Sequence, residues 1–283
     1  RGMINQMILL VVTGVAAGIL GAIMGIGGGM IITPVLTVLM GLPIQYAIAA
    51  SIIAVIATSS GATIAYLRDD MLNLRVAMFL EIGTTVGAIV GAIVTGMVPS
   101  NILYWLFGAL LVFSTYNMIR KLIGKTDAAP ADHPDELATK LKLNGSYYDK
   151  ATKKQVDYTV TNVPGGMTMM FGAGLASGML GIGSGAFKVI AMDTIMKMPL
   201  KPSSATSNLM MGVTAAASAT VYFFNGSLRP EIAVPLALGI LGGALIGSRI
   251  MPIMPTRLLR MIFVPIIGFM GIQMLLKGFG VTI

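Results

Sequence analysis

Gly25-Ile-Gly-Gly-Gly29 and Gly181-Ile-Gly-Ser-Gly185 each lie near the middle of a long apolar segment, Met7–Met40 and Gly165–Met196. At 1.5 Å per residue, either segment drawn as one helix would be about 50 Å long, well beyond a hydrocarbon core of about 30 Å. Clustered glycines break helices. Each segment is therefore expected to be two shorter helices joined at the glycines. Six further apolar segments have ordinary spanning length: Ile44–Leu67, Val76–Thr95, Ile102–Ile119, Ser203–Phe224, Ile232–Ile250 and Leu258–Leu276.

Composition agrees with a membrane chain. Hydrophobic residues make up 55%, charged residues only 11%, and the mean hydropathy is +0.86. A soluble domain carries roughly 25% charge, so this chain cannot build a water-facing surface. Strand alternation is absent, and Gly, Ala, Leu, Ile and Met dominate, which favours helices over a barrel. The fold class expected is an all-α integral membrane protein. Met7–Leu20 is not preceded by a basic run or followed by a cleavage signature, so no signal peptide is expected. Cysteine is absent, which removes thiolate metal sites and thiol chemistry. The net charge of +8 is better explained by basic loops at helix ends than by nucleic-acid binding.

The two glycine clusters are offset by 181 − 25 = 156 residues. The same offset, without gaps, pairs Gly18 with Gly174, Gly27 with Gly183, Gly29 with Gly185 and Pro43 with Pro199. It continues through Ser51/Ser207, Tyr66/Tyr222, Gly83/Gly239, Gly87/Gly243, Gly91/Gly247 and Pro99/Pro255. Chance hydrophobicity does not hold one register of Gly and Pro positions from Gly18 to Pro99. The domains expected are a first membrane repeat over 1–120, a polar cytoplasmic linker loop over 121–164 and a second membrane repeat over 165–283.

Loop charge sets the relative orientation. The turns at Gly41–Gln45 and Gly96–Asn101 carry no charge, whereas Arg68–Arg75 and the linker beginning Arg120-Lys121 carry the basic residues of this half. In the second half the equivalents of the neutral turns carry Lys197, Lys201, Arg249, Arg257 and Arg260. The equivalent of Arg68–Arg75, Asn225–Glu231, holds one Arg and one Glu. By the positive-inside rule the halves have opposite orientations. Inversion requires an odd number of elements per half, so each half is expected to be a glycine-broken helical hairpin plus three transmembrane helices. Inverted repeats with discontinuous helices are a recurring transporter design. A parallel arrangement of eight plain spans is the alternative.

The candidate site follows from the turns. A turn that opens a helix presents free N–H groups and the positive end of the helix dipole, which suits an anion. Glycine lets that anion approach the backbone. Gly25, Gly27, Gly28, Gly29, Gly181, Gly183, Ser184 and Gly185 are thus candidates, against the plainer reading that they only permit tight packing. Lys188 lies one turn past the second cluster inside an apolar run, where an ammonium is costly and marks function by default; snorkelling to the interface is the other reading. Ser51, Ser207 and Asn208 could hydrogen-bond an oxyanion, or simply tie helices together. Glu81, with Ala237 at the matched position, could hold a proton for coupling or pair with a nearby basic residue. Asn117 and Gln273 pair at the same offset, with interhelical bonding favoured. Asp193 and Lys197 have the spacing of a helical ion pair. The ladders Gly83/Gly87/Gly91 and Gly239/Gly243/Gly247 read as close helix packing. Gly181-x-Gly183-x-x-Ala186 resembles a dinucleotide fingerprint but lacks the βαβ context that would support one.

Gly14-x-x-x-Gly18, Gly25-Ile-Gly-Gly-Gly29, Pro34, Pro43 and Ala49-Ala-Ser51, echoed in the second half, resemble the TauE/SafE family, often called sulfite exporters. The resemblance covers nearly the whole chain except Lys121–Gly165. It implies a carrier of the prokaryotic cytoplasmic membrane that moves sulfite or organosulfonates. It also implies a substrate site at the glycine turns and the Ser51/Ser207 region. The second copy departs from the pattern with Ser184 for glycine, Ile190 in place of the proline at position 34, and Lys188 opposite Ile32.

A secondary-active carrier is the expected function. An uncoupled small-anion channel, or a carrier for non-sulfur carboxylates, is the runner-up. An enzyme is not expected: His133 lies in the polar loop and no membrane aspartates pair to supply a base. No cofactor or metal is expected. The partners expected are a small anion and the lipid bilayer, with a homodimer as the oligomeric option and no nucleic acid.

Overall fold

The computed structural model describes residues 2–25, 27–124 and 135–281. The Ala129–Pro134 stretch with His133 lies outside them. Among the described residues the chain is almost wholly helical. The first half runs α1 (Gly2–Met24), α2 (Gly29–Pro34) with a π-helical continuation (Val35–Leu39), α3 (Ile44–Arg68), α4 (Leu74–Thr95) and α5 (Ser100–Ile123). A short helix α6 (Glu136–Lys140) and an antiparallel hairpin, β1 (Gly145–Asp149) and β2 (Lys154–Tyr158), follow. The second half runs α7 (Val163–Leu180), α8 (Gly185–Ile190) with π-helical Ala191–Ile195, α9 (Leu200–Phe224), α10 (Pro230–Ile250) and α11 (Thr256–Gly278).

Local chemistry sets these boundaries. Pro43, Pro99, Pro199 and Pro255 sit immediately before α3, α5, α9 and α11 in extended backbone. There the missing N–H is harmless and the fixed φ directs the entry. Asn73 caps α4 by accepting from the Val76 N–H, and Asn162 caps α7 by accepting from Gly165. The helices α1 and α7 stop at Gly25 and Gly181, both at positive φ, a conformation glycine adopts without the Cβ penalty. α3 and α9, and α2 and α8, start and end 156 residues apart at both ends.

Glycine ladders then fuse helices of different halves. A Cβ added at Gly87 or Gly91 would collide with the carbonyl oxygens of Phe171 or Leu175, and one at Gly174 or Gly178 with those of Thr84 or Ala88. That is the α4–α7 seam. The α1–α10 seam repeats it, with Gly239 and Gly243 against the carbonyls of Val11 and Val15, and Gly18 against that of Ile240. Backbone-to-backbone packing of this kind is how membrane helices gain van der Waals contact without a hydrophobic driving force. α5 and α11 pack on each other, Gly108 under Leu275 and Gly271 under Leu111.

The opposite face of α4 exposes Met78, Ile82, Val86, Ile89 and Ile93 at helical spacing, and α10 exposes Leu238, Leu241 and Leu245. These stripes face lipid. Among the described residues six helices are long and apolar enough to span: Ile4–Met24, Ile44–Arg68, Leu74–Thr95, Ser100–Arg120, Pro230–Ile253 and Arg260–Gly278. The protein is an all-α, multi-pass membrane protein. Ser203–Phe224, expected as an ordinary apolar span, differs: it is helical within α9 but falls outside this set. Lys201, Ser203, Ser204, Thr206, Ser207 and Asn208 fill its first half, and all are buried. The first half of α9 can be polar because protein surrounds it.

The linker also carries more order than a polar loop. α5 continues to Ile123, and the β1–β2 hairpin packs Tyr147 and Tyr158 inward. Asn73 Nδ2 donates to the Leu143 carbonyl and the Tyr158 hydroxyl, Lys150 pairs with Asp69, and Asp149 pairs with Lys201. The hairpin is thereby fastened to the α3–α4 loop of one half and to α9 of the other.

Candidate functional site

Both glycine turns are buried, and they reverse the chain. Gly27 N–H donates to the Gly21 carbonyl, and a Cβ at Gly28 would lie 3.0 Å from the Ala17 carbonyl oxygen. In the second half the Thr161 N–H donates to the Met196 carbonyl, so the returning limb ends beside the start of α7. Gly25, Gly27, Gly28, Gly181, Gly183 and Ser184 all have positive φ. The Ser184 side chain holds this left-handed geometry while donating to the Gly183 carbonyl.

The turns meet each other. A Cβ at Gly29 would lie 2.8 Å from the Gly181 carbonyl oxygen, and Gly27 and Gly183 both abut the Val55–Met211 pair. Each turn is held by a serine from the other half. Ser51 Oγ donates to the Gly181 carbonyl at 2.6 Å, and Ser207 Oγ donates to the Gly25 carbonyl at 2.7 Å. Tyr66 and Tyr222 repeat the pattern within their own halves, donating to Ala22 and Gly178. Asn208 Nδ2 donates to the Ala22 and Ser204 carbonyls, while its buried Oδ1 has no hydrogen-bond partner. Ser51 Oγ also reaches the Ile48 carbonyl of its own helix at 2.8 Å, and Ser207 Oγ the Gly185 carbonyl at 3.3 Å. With the shorter contact of each going to the opposite turn, Ser51 and Ser207 act as struts in this conformation.

Lys188 is fully buried. Its Nζ donates to Thr214 Oγ1 at 2.5 Å and stands 4.0 Å from Glu81 Oε2. Thr214 Oγ1 donates in turn to Glu81 Oε1 at 2.6 Å, and Thr85 Oγ1 donates to the same oxygen at 3.1 Å. Three helices, α4, α8 and α9, thus converge on one charged cluster. Its members sit at positions matched by Ala237, Ile32 and Thr58 in the other copy, where no charge occurs. The link between Glu81 and Lys188 spans 107 residues and is invisible to any local pattern. Thr214 carried one faint signal, its match with Thr58.

Two recesses lie at matched positions of the halves. One, about 30 Å³, is lined by Met24, Asn117, Val189, Asp193, Ser204 and Arg260. It shares Asp193, Leu200 and Arg260 with a vestibule of about 510 Å³ walled by the linker hairpin, Lys197, Lys201 and Arg257. Arg260 Nη2 pairs with Asp193 Oδ2 at 3.3 Å between them. The other recess, about 230 Å³, is lined by Thr37, Gly41, Gln273 and Lys277. There Lys277 donates to the Thr37 carbonyl and lies 5.5 Å from the Tyr104 ring centre. Asn117 and Gln273 thus each line a recess. Asp193 pairs with Arg260 rather than with Lys197. The π-helical turn at Ala191–Ile195 destroys the i, i+4 geometry, and Lys197 lies beyond it at φ +56°.

In the vestibule, burial alone would raise the Asp149 carboxyl. The hydrogen bonds from Lys201, the Ala151 N–H and Thr152, together with the Lys201 charge, outweigh that and hold it below the usual carboxylate value. Burial pushes the Tyr158 hydroxyl up, partly offset by Asn73.

The family model described as sulfite exporter TauE/SafE matches residues 10–274, nearly the whole chain. The chain belongs to the TauE/SafE family. Relatives described as probable membrane transporter proteins match it over differing lengths. "Probable membrane transporter protein YunE" of Bacillus subtilis is 26% identical over 96% of this chain and 98% of its own. "Probable membrane transporter protein MJ0441" of Methanocaldococcus jannaschii is 26% identical over 95% of each. "Probable membrane transporter protein MamO" of Paramagnetospirillum magneticum is 30% identical, but over 36% of this chain and 17% of its own. No solved structure matches the chain. With this TauE/SafE membership, the protein is a multi-pass membrane transporter of the prokaryotic cytoplasmic membrane.

Proposed function

We propose that this transporter is a secondary-active carrier of small sulfur-containing anions, sulfite or organosulfonates. The anion is held near the midplane by the two glycine turns and by Lys188. The observation that carries the reading is the reciprocal meeting of the turns beside a fully buried ammonium. Non-helical backbone at membrane depth is tolerated where it is packed in protein or lines a pathway. An ammonium buried beside it supplies the positive charge an anion requires. The half-helices opening at Gly29 and Gly185 add their positive dipole ends. The sulfur chemistry of the substrate is suggested by the family's description.

The same reading makes residues 1–120 and 165–283 inverted repeats, with 121–164 as a cytoplasmic linker. Reciprocal pairs such as Ser51–Gly181 and Ser207–Gly25 support a two-fold axis relating the halves. The loop charges support placing that axis in the membrane plane. The basic vestibule then opens to the cytoplasm, and the Lys277 recess opens to the outside.

Uptake of a panel of sulfonates, sulfite and carboxylates into proteoliposomes tests the reading. Saturable movement of sulfonate or sulfite is expected. Unsaturable flux indicates a channel, saturable movement of carboxylates alone overturns the sulfur substrate, and flux of none overturns the carrier reading.

A further inference from the structure

We propose that Glu81, Thr214 and Lys188 form a proton-coupling unit, in which the transported anion displaces the Glu81 carboxylate from Lys188 and that carboxylate takes up one proton. The proposal rests on the anion-carrier reading.

The geometry joins the three groups into one hydrogen-bonded chain. Lys188 donates to Thr214, and Thr214 donates to Glu81 Oε1. The second carboxylate oxygen, Oε2, is buried and has no hydrogen-bond donor. It faces the ammonium at 4.0 Å, wide of a direct hydrogen bond. The carboxylate is therefore held by charge and by threonine hydroxyls, a grip that an anion reaching the ammonium can replace.

Charged and titratable groups on the surrounding elements are engaged elsewhere or lie away from the unit. α7, which packs along α4, carries none. On α9, Lys201 pairs with Asp149, and Tyr222 donates to the Gly178 carbonyl. Beyond α8, Asp193 pairs with Arg260. On α4 itself Arg75 is exposed, more than one turn from Glu81. On α5, which touches α8, Tyr104 lies beneath Lys277, and Tyr116 and Arg120 are exposed. Glu81 and Lys188 are each other's counter-charge.

Neutrality makes the arrangement a coupling device. In the empty carrier the pair is Glu81 carboxylate with Lys188 ammonium, net zero. With a monovalent anion bound, the ammonium faces the anion and Glu81 is the neutral acid, again net zero. A buried carboxylate stripped of its cation takes a proton rather than remain charged. Lys188 keeps its proton throughout; the one proton gained sits on a Glu81 oxygen and leaves when the anion does. Both forms can therefore reorient across a low-dielectric interior, and one proton accompanies each anion in the same direction.

Isethionate is the probe, a strong-acid anion that carries no titrating proton of its own. In proteoliposomes holding the wild-type protein, an acid-outside gradient is expected to drive isethionate accumulation with one proton entering per anion. In Glu81→Gln the empty form leaves the ammonium without its counter-charge, so before the carrier reorients it must either stay charged in the low-dielectric interior or give up its proton, and both are costly. Gradient-driven net uptake is expected to fall on the order of tenfold or more, the effect of leaving one buried charge unpaired. Exchange of internal for external isethionate, which needs only the loaded neutral form, is expected to persist. Glu81→Asp is expected to restore net uptake. Net uptake retained in Glu81→Gln overturns the proposal. So does loss of both net uptake and exchange in a variant with the wild-type melting temperature. Sulfite and gluconate run in the same vesicles separate this proposal from the sulfonate reading. If gluconate moves with the Glu81-dependent proton and isethionate does not, the coupling stands and the sulfonate falls. If the wild type moves no anion, both fall.

Discussion

The first glycine turn, with Ile32, Thr58 and Ala237 at the matched positions, and the second, with Lys188, Thr214 and Glu81, differ in charge far more than in backbone. Both turns use left-handed glycines, both are strutted by a serine from the opposite half, and both touch the same Val55–Met211 pair. The two recesses differ likewise: an Asp193–Arg260 ion pair flanks one, while Lys277 on a carbonyl flanks the other. A duplicated backbone supplies the frame twice, whereas net chemistry needs one charged centre. A second buried ammonium would need a second counter-charge, and each unpaired one costs several kcal/mol. The repeat is kept where packing demands it and broken where charge acts.

Breaking the shared frame should give the largest effects, equal in both halves. Gly178→Val and Gly243→Val each drive a side chain into a facing backbone carbonyl. Overpacking costs about 1–3 kcal/mol even where side chains can yield, and backbone cannot, so loss of folded protein in size-exclusion chromatography is expected for both. Gly172→Val and Gly242→Val, which meet open space, should elute as wild type.

The charged recess comes next. Asp193→Asn leaves Arg260 short of its carboxylate in a nearly buried position, a change worth about 3–5 kcal/mol when a buried pair loses one member. A large fall in melting temperature is expected. The matched Thr37→Val removes only a hydroxyl bonded to its own helix and should fall far less.

Removing either strut should cost the same. Ser51→Ala and Ser207→Ala each strip a buried carbonyl of its cross-half donor, worth about 1–3 kcal/mol. Matched decreases in melting temperature are expected, and a large inequality would break the equivalence of the turns.

The smallest effect belongs to the linker, which has no counterpart. Asp149 is held below its ordinary value. It therefore stabilises the docked hairpin fully above the unfolded carboxylate value, and that contribution is lost as pH falls through the lower folded value. Protection of the β1–β2 amides, taken relative to unstructured exchange at the same pH, should fall in that acid window, and Asp149→Asn should show the lower protection already at neutral pH.

Much of the frame was legible in the sequence because Gly and Pro act through the backbone. Pro43 and Pro199 mark helix starts, and Gly25 and Gly181 mark helix ends, wherever the chain goes next. The ladder glycines announced packing by their spacing. The charged cluster was legible only as separate residues. Lys188 stood out by its apolar surroundings, but its partner Glu81 lies on another helix, and no periodicity couples them. Asp193 suggested a local pair with Lys197 because the π-helical turn between them leaves no mark in composition. The hairpin hid behind its own charge: only Tyr147, Val156 and Tyr158 alternate inward, too few to stand out among lysines and aspartates.

The asymmetry of the two turns is tested most directly by comparing Lys188→Ala with Ile32→Ala in saturable sulfonate uptake. Lys188→Ala is expected to lower kcat/KM on the order of a hundredfold, the loss of a buried charge–anion contact of about 3 kcal/mol, while Ile32→Ala is expected to change it only modestly. Equal effects from the two matched positions, or wild-type kinetics in Lys188→Ala, would contradict it.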